Sequence, residues 1–150
     1  MKTMEIANTL TEEWLAQLQA NGYRLTEPRR AVVEIVAQSA YVLSPAEVYK
    51  RTRKRHPAIG LVTVYRTLEK LEELGLIQRV HQPGGCHTFI ASAAGHQHLL
   101  ICQGCGLAQY FSGDNLGPLM RSIGKDSGYA IKEHWLQLFG LCADCREETK

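Results

Sequence analysis

Hydrophobic positions recur every three to four residues through the first half of the chain and in short β-prone runs thereafter, a change of period that predicts helices giving way to strands. In "TEEWLAQLQANGY" Trp14, Leu15 and Leu18 fall at helical spacing behind a Thr11 cap, and Gly22 marks the stop. A second helix is expected in "TEPRRAVVEIVAQ", with Thr26 as cap, Pro28 in the first turn and Val32, Val33, Ile35 and Val36 on the buried side. "SPAEVYKRTRKRH" carries the strongest start signal, since Ser44, Pro45 and Glu47 stand at the cap, first helical and third helical positions of a capping box. The turn "HPAIG" then leads into a fourth helix, "LVTVYRTLEKLEELG", which Gly75 ends.

At 100° per residue, the fourth helix gathers Val64, Leu68 and Leu71 on one side and Thr63, Arg66 and Lys70 on the other, with Tyr65 on the flank. Alone, this describes any amphipathic surface helix. The next segment, "LIQRVHQPGGCHTFIAS", reads as a β-hairpin around Pro83-Gly84-Gly85, and a helix-turn-helix followed at once by a hairpin is a winged helix. If Gln82 to Gly85 form a four-residue loop, His81 and Cys86 face each other across the strands, with Cβ atoms about 5 Å apart, and His87 points away.

Residues 92–95, "SAAG", suit a hinge, so the expected organisation is α+β: a winged helix-turn-helix domain over 1–91 and a small α/β domain over 96–150. In the second domain "HLLIC", "LAQYF" and "YAIKEHWLQLFGL" read as strands, "DNLGPLMRSIGKDSG" as a helix, and "REETK" as a frayed tail. The chain shows no internal repeat and no low-complexity tract.

With 45% hydrophobic residues in 150, the chain is a folding sequence and not a disordered tail. No apolar run approaches a bilayer-spanning length, and "MKTMEIANTLTEEWL" lacks a signal-peptide core, so the cytoplasm is the expected compartment. Net charge is only +2, but unevenly placed: 12 Lys and Arg against nine Asp and Glu up to residue 91, five against six after it. The front of the chain is therefore the side better suited to a polyanion.

Five cysteines in a reducing compartment point to metal or redox chemistry more than to disulfides. Cys102-Gln-Gly-Cys105 and Cys142-Ala-Asp-Cys145 are two knuckles, each able to present two sulfurs to one tetrahedral zinc ion. The rival reading is a pair of redox dithiols, which favour a thioredoxin-like β-α-β setting not found here. Four thiolates leave zinc no open position, so this ion would hold the fold together and not catalyse.

These residues resemble the ferric uptake regulator (Fur) superfamily of metal-responsive repressors. "TVYRTLEKLEELGLI" is similar to its recognition helix, "HQHLLICQGCG" to its approach to the first knuckle and "CADC" to its second, in the right order from about Leu25 to Cys145. The resemblance implies a winged helix joined to an α/β dimerisation domain, with a homodimer reading a palindromic operator in double-stranded DNA when a regulatory metal is bound. It also implies that Thr63, Tyr65 and Arg66 face DNA, with Arg66 and Lys70 as phosphate or base contacts by their own chemistry.

The regulatory site must come from Cys86 and the histidines 81, 87, 96, 98 and 134, His56 being a surface residue. His96 and His98, two apart on a strand, share a face, and thiolate plus imidazole favours zinc over ferrous iron. A zinc uptake regulator (Zur) is the branch this points to, with iron- and peroxide-responsive repressors as alternatives. Val42 stands where iron and peroxide sensors of the family carry a histidine, which supports the zinc branch.

The family's junction histidines, however, fall on Gln97 and Leu99. His96, His98 and His134 match a second family site, whose carboxylate position is Gly117, leaving Asp114 or water to substitute. Either a bulge brings His96 and His98 to the hinge beside His81 and Cys86, or they form a separate site with His134. Two other classes stand beside the repressor: a metal-independent winged-helix module with only structural zinc, and a zinc hydrolase on His96, His98 and His134, for which no carboxylate, Glu133 included, is persuasively placed as base.

Overall fold

The computed structural model describes residues 2–113 and 115–148, with backbone alone for residues 2–7. Asp114, the proposed carboxylate substitute, and the last two residues of the tail lie outside the described residues. The chain falls into two units, Met1–Ser92 and Ala93–Lys150.

The first unit runs α1 (Lys2–Ala20), α2 (Glu27–Ala37), α3 (Pro45–Arg53), α4 (Leu61–Glu73), β1 (Ile77–His81) and β2 (His87–Ala91). Thr11 is not a cap: α1 begins nine residues earlier and buries Thr11 inside it, because the residues before it continue the helix without a breaker. Its end is as expected, with Gly22 at φ +80° while Tyr23 N–H donates to the Leu18 carbonyl, closing the last turn by a left-handed glycine. Thr26 occupies the cap of α2 without a side-chain hydrogen bond. Ser44 and Glu47 form the complete capping box, the Ser44 N–H donating to Glu47 Oε2 at 2.7 Å and the Glu47 N–H to Ser44 Oγ at 3.2 Å.

Trp14, Leu15 and Leu18 from α1 meet Val32, Val33 and Val36 from α2, Val48 from α3 and Val64, Leu68 and Leu71 from α4 in one core. Each such side chain, fully buried, contributes about 1.5–3 kcal/mol of hydrophobic transfer. Ile77 and Phe89 extend the core into the hairpin. Leu43 and Phe89 exchange backbone hydrogen bonds of 2.9 and 2.8 Å, so the segment before α3 bridges β2 at one residue pair. Arg79 on β1 grips Glu72 on α4 with two hydrogen bonds of 3.0 and 2.8 Å. Together these ties make the unit a winged helix with its hairpin fixed to α4.

The second unit contains β3 (His98–Cys102), β4 (Ala108–Phe111), α5 (Gly117–Ser127), β5 (Gln137–Gly140) and α6 (Ala143–Glu148). Its sheet order is β4-β3-β5, with β3 antiparallel to β4 and parallel to β5. The long strand expected from Tyr129 shrinks to Gln137–Gly140, the stretch that pairs in register with β3, and the Leu136 carbonyl just before it accepts the Leu99 N–H at 3.1 Å. The segment expected to fray from Arg146 is instead the second half of α6 up to Glu148, begun inside the second knuckle. The architecture is α+β, helices leading and a small sheet following.

Candidate metal centres and nucleic-acid face

Parallel pairing puts Leu99 beside Gln137 and Cys102 beside Gly140. Carried forward two residues on β5, that register delivers Cys142 to the first knuckle; the Cys142 N–H donates to Cys102 Sγ at 3.3 Å. Cys102, Cys105, Cys142 and Cys145 offer sulfurs that all lie within 4.8 Å of one another, with Cys105 and Cys142 Sγ 3.8 Å apart. Gly104 makes this possible, because a Cβ there would stand 2.8 Å from Cys145 Sγ and 3.0 Å from Cys145 Cβ. The second knuckle packs into the gap that the missing side chain leaves.

Charge distribution in the cluster matches a cation's demands. Backbone N–H groups of Cys142, Cys105 and Gly104 hold the Cys102 thiol down to about 6, whereas hydrogen bonding with Cys142 and Cys102, together with burial, pushes Cys145 well above the ordinary thiol range. Once one sulfur is ionised its neighbours resist losing protons, so four thiolates at this spacing require a compensating ion. Donor type, spacing and the Gly104 gap fit tetrahedral zinc, which would supply a cross-link between the two knuckles.

The same register, carried three residues back from Leu99 and Gln137, sets His96 level with His134. Their Nε2 atoms are 3.1 Å apart, and His98 completes a cluster with ring centroids 4.7 Å from His96 and 5.2 Å from His134. All three offer a ring nitrogen within 4.8 Å of the others. His98 is buried, His134 half-buried and His96 exposed, and a cavity of about 460 Å³ lined by His96, Lys132, Glu133, His134 and Trp135 opens beside them. Three imidazoles with one open side can hold a divalent cation and leave a fourth position for water or a carboxylate. Leu99, by contrast, is 1% exposed and belongs to the core, and Val42 is equally apolar and buried.

The hairpin corrects an expectation. His81 pairs with His87, not with Cys86, and their rings meet edge-on at 5.4 Å between centroids. Gly85, at φ +79°, closes a turn by donating to the Gln82 carbonyl, and the Gln82 N–H reaches the Cys86 carbonyl; the extra residue leaves Cys86 in the loop. His81 and Cys86 therefore do not form the expected cross-strand pair. They belong to the first unit, while His96, His98 and His134 close a cluster within the second.

On α4, Val64, Thr67, Leu68 and Leu71 are buried, Tyr65 and Arg66 exposed, and Thr63 and Lys70 half-buried. Lys70 is engaged: its Nζ lies 2.8 Å from Glu73 Oε2 and 5.0 Å from the centre of the Tyr23 ring. Arg66 makes no ion pair among the described residues. A cleft of about 280 Å³ joins Arg66, Glu69 and Lys70 to Tyr23 and Arg24 before α2 and to Arg29 in its first turn, with the Arg29 guanidinium donating to the Arg24 carbonyl at 2.7 Å. Arg24 and Arg29 enter the charge count of the first 91 residues but are not among the expected DNA contacts, which lie on α4 alone; the arginines of "YRLTEPRR" are the signal that marks them.

A winged helix with a basic cleft, joined to a sheet that gathers two clusters of side chains able to hold a metal, is the architecture of metal-binding transcription regulators. Residues 20–139 match the model of the ferric uptake regulator family, and the chain belongs to that family. It is 30% identical to a ferric uptake regulation protein of Neisseria gonorrhoeae over 137 residues, 91% of this chain and 95% of that one. Among solved structures, the ferric uptake regulator of Vibrio cholerae aligns at 31% identity and TM-score 0.65, covering 85% of this chain and 98% of that one. A zinc uptake regulator complexed with zinc and DNA shares the fold at TM-score 0.70 and 20% identity, over 95% and 97% of the two chains. The protein is accordingly a metal-responsive transcription regulator of the Fur family. No helix among the described residues is long and apolar enough to cross a membrane.

Proposed function

We propose that the protein is a zinc-responsive repressor which binds palindromic operator DNA as a homodimer when its regulatory site is filled. The observation that carries this reading is the all-imidazole cluster of His96, His98 and His134. Among the described residues the donors that meet there are three imidazole nitrogens, a set that suits zinc better than ferrous iron or manganese, which take oxygen more readily. Cys102, Cys105, Cys142 and Cys145 hold the structural zinc.

Thr63, Tyr65 and Arg66 meet the bases and phosphates of the major groove, joined by Lys70 and, along the cleft, by Arg24 and Arg29. Exposed apolar side chains on the second unit support the dimer. Leu100 and Leu138, register partners on the sheet, are both more than 40% exposed, as are Leu119 and Ile123, one turn apart on α5, while Trp135 is 80% exposed. A lone subunit leaves these side chains to water; a second copy covers them.

Protein retaining its four-cysteine ion, titrated anaerobically with Zn²⁺ or Fe²⁺ against an operator selected from random duplexes, tests the reading. Zinc tightens binding, and His134→Ala abolishes the response without releasing the structural ion. Iron-dependent binding at lower metal concentration than zinc would transfer the protein to the iron-responsive branch, which is the name its relatives carry. Operator binding indifferent to either metal would leave a winged-helix module with structural zinc alone.

A further inference from the structure

We infer that the wing carries a metal site of its own, formed by His81 and His87, which takes a divalent cation of the nitrogen-preferring kind such as zinc or nickel. The two residues are partners in register, and the Gln82 N–H to Cys86 carbonyl bond closes the preceding rung, so His81 and His87 form a non-hydrogen-bonded pair. Side chains approach closest in such pairs, where Cα atoms are about 4.5 Å apart. Two imidazoles bound to one tetrahedral ion through Zn–N bonds of about 2.0–2.1 Å put their ring centres about 5 Å apart. The wing pair stands at 5.4 Å, against 4.6 Å for His96 and His134 in the three-histidine cluster.

The frame that holds the pair is already fixed. Two residues before His81, Arg79 is tied to Glu72; two after His87, Phe89 is bonded to Leu43 and buried. The backbone beneath both rings is therefore held, so an incoming ion orders two side chains with little main-chain entropy left to lose. The positive charge nearest along β1, that of Arg79, is offset by Glu72, and both imidazoles are exposed, so water completes the coordination. The site is shallower than the three-histidine cluster and has one ligand fewer, so it fills after it. Once filled, it adds positive charge to the wing and staples its two strands across the turn.

The experiment uses the full-length protein with its structural ion in place and Zn²⁺ as probe, counting exchangeable ions by equilibrium dialysis. The wild type takes up two exchangeable zinc ions per chain; His81→Ala and His87→Ala each take up one; His134→Ala also takes up one, but retains the wing site. Substoichiometric Ni²⁺ added to His134→Ala protein broadens the ring-proton NMR signals of His81 and His87 together and spares His56. Unchanged zinc uptake in both wing variants, or broadening of one ring without the other, overturns the proposal. Loss of an ion on Cys86→Ser with His87→Ala silent also overturns it, by returning the site to the thiol. Because the wing variants are read independently of His134→Ala, failure of the three-histidine sensor and failure of the wing site give different counts.

Discussion

Replacing Gly104 by alanine isolates the packing that holds the four sulfurs together. Gly104 does not have a positive φ, so alanine fits its backbone and any effect must arise from the added methyl group. That methyl would stand 2.8 Å from Cys145 Sγ, where ordinary contact needs about 3.5–4.0 Å. One knuckle must therefore retreat by about 0.7 Å or more. Zinc–sulfur distances of about 2.3 Å tolerate changes of about 0.2 Å, so the shift is several times what the coordination shell absorbs.

Losses of about 10–100-fold accompany disturbance of a metal site's supporting contacts, and that is the expected fall in zinc affinity, equivalent to about 1.4–2.8 kcal/mol. Anaerobic competition against a chromophoric chelator measures it, with Gln103→Ala as control within the same knuckle. A Gly104→Ala protein that holds zinc as tightly as the control, with an unchanged melting temperature, would refute the account of the knuckles as two surfaces in contact.

Zinc loading of reduced protein at pH 7 should release fewer than four protons, because Cys102 is already ionised above about 6 whereas Cys145 keeps its proton; calorimetry in buffers of different ionisation enthalpy reads the number, which rises as pH falls through 6. Ser44→Ala removes the capping box of α3 and is expected to lower stability by about 1 kcal/mol in urea unfolding. Leu68→Ala, at a position 1% exposed between the helices, should cost about 2–5 kcal/mol in the same assay. Arg66→Ala should weaken operator binding by about 1–3 kcal/mol if the guanidinium reads a base, or lower the salt slope by about one if it meets a phosphate; fluorescence anisotropy at several salt concentrations separates the two.

The helices of the first unit were legible because their signals are local. A capping box at Ser44 and Glu47 and a left-handed glycine at Gly75 act within a few residues, and neither needs a distant partner. Where a distant or subtle partner decides, the reading slipped. Thr11 resembled a cap but lies within a continuing helix; Tyr129 to Leu136 resembled strand, but regular strand begins only at Gln137. The hairpin was legible as a hairpin, whereas its register turned on whether Gly85 added one residue to the loop, and that one residue exchanged Cys86 for His87 opposite His81.

Which donors the chain carries was settled along the sequence, by the two C-x-x-C spacings and the H-x-H. Which donors meet was settled by the parallel pairing of β3 with β5. A single register brings Cys142 to Cys102 at one end and His134 to His96 at the other, across separations of about forty residues that no local rule spans. Parallel strands need a crossover between them, and where that crossover lands depends on the packing of the whole unit.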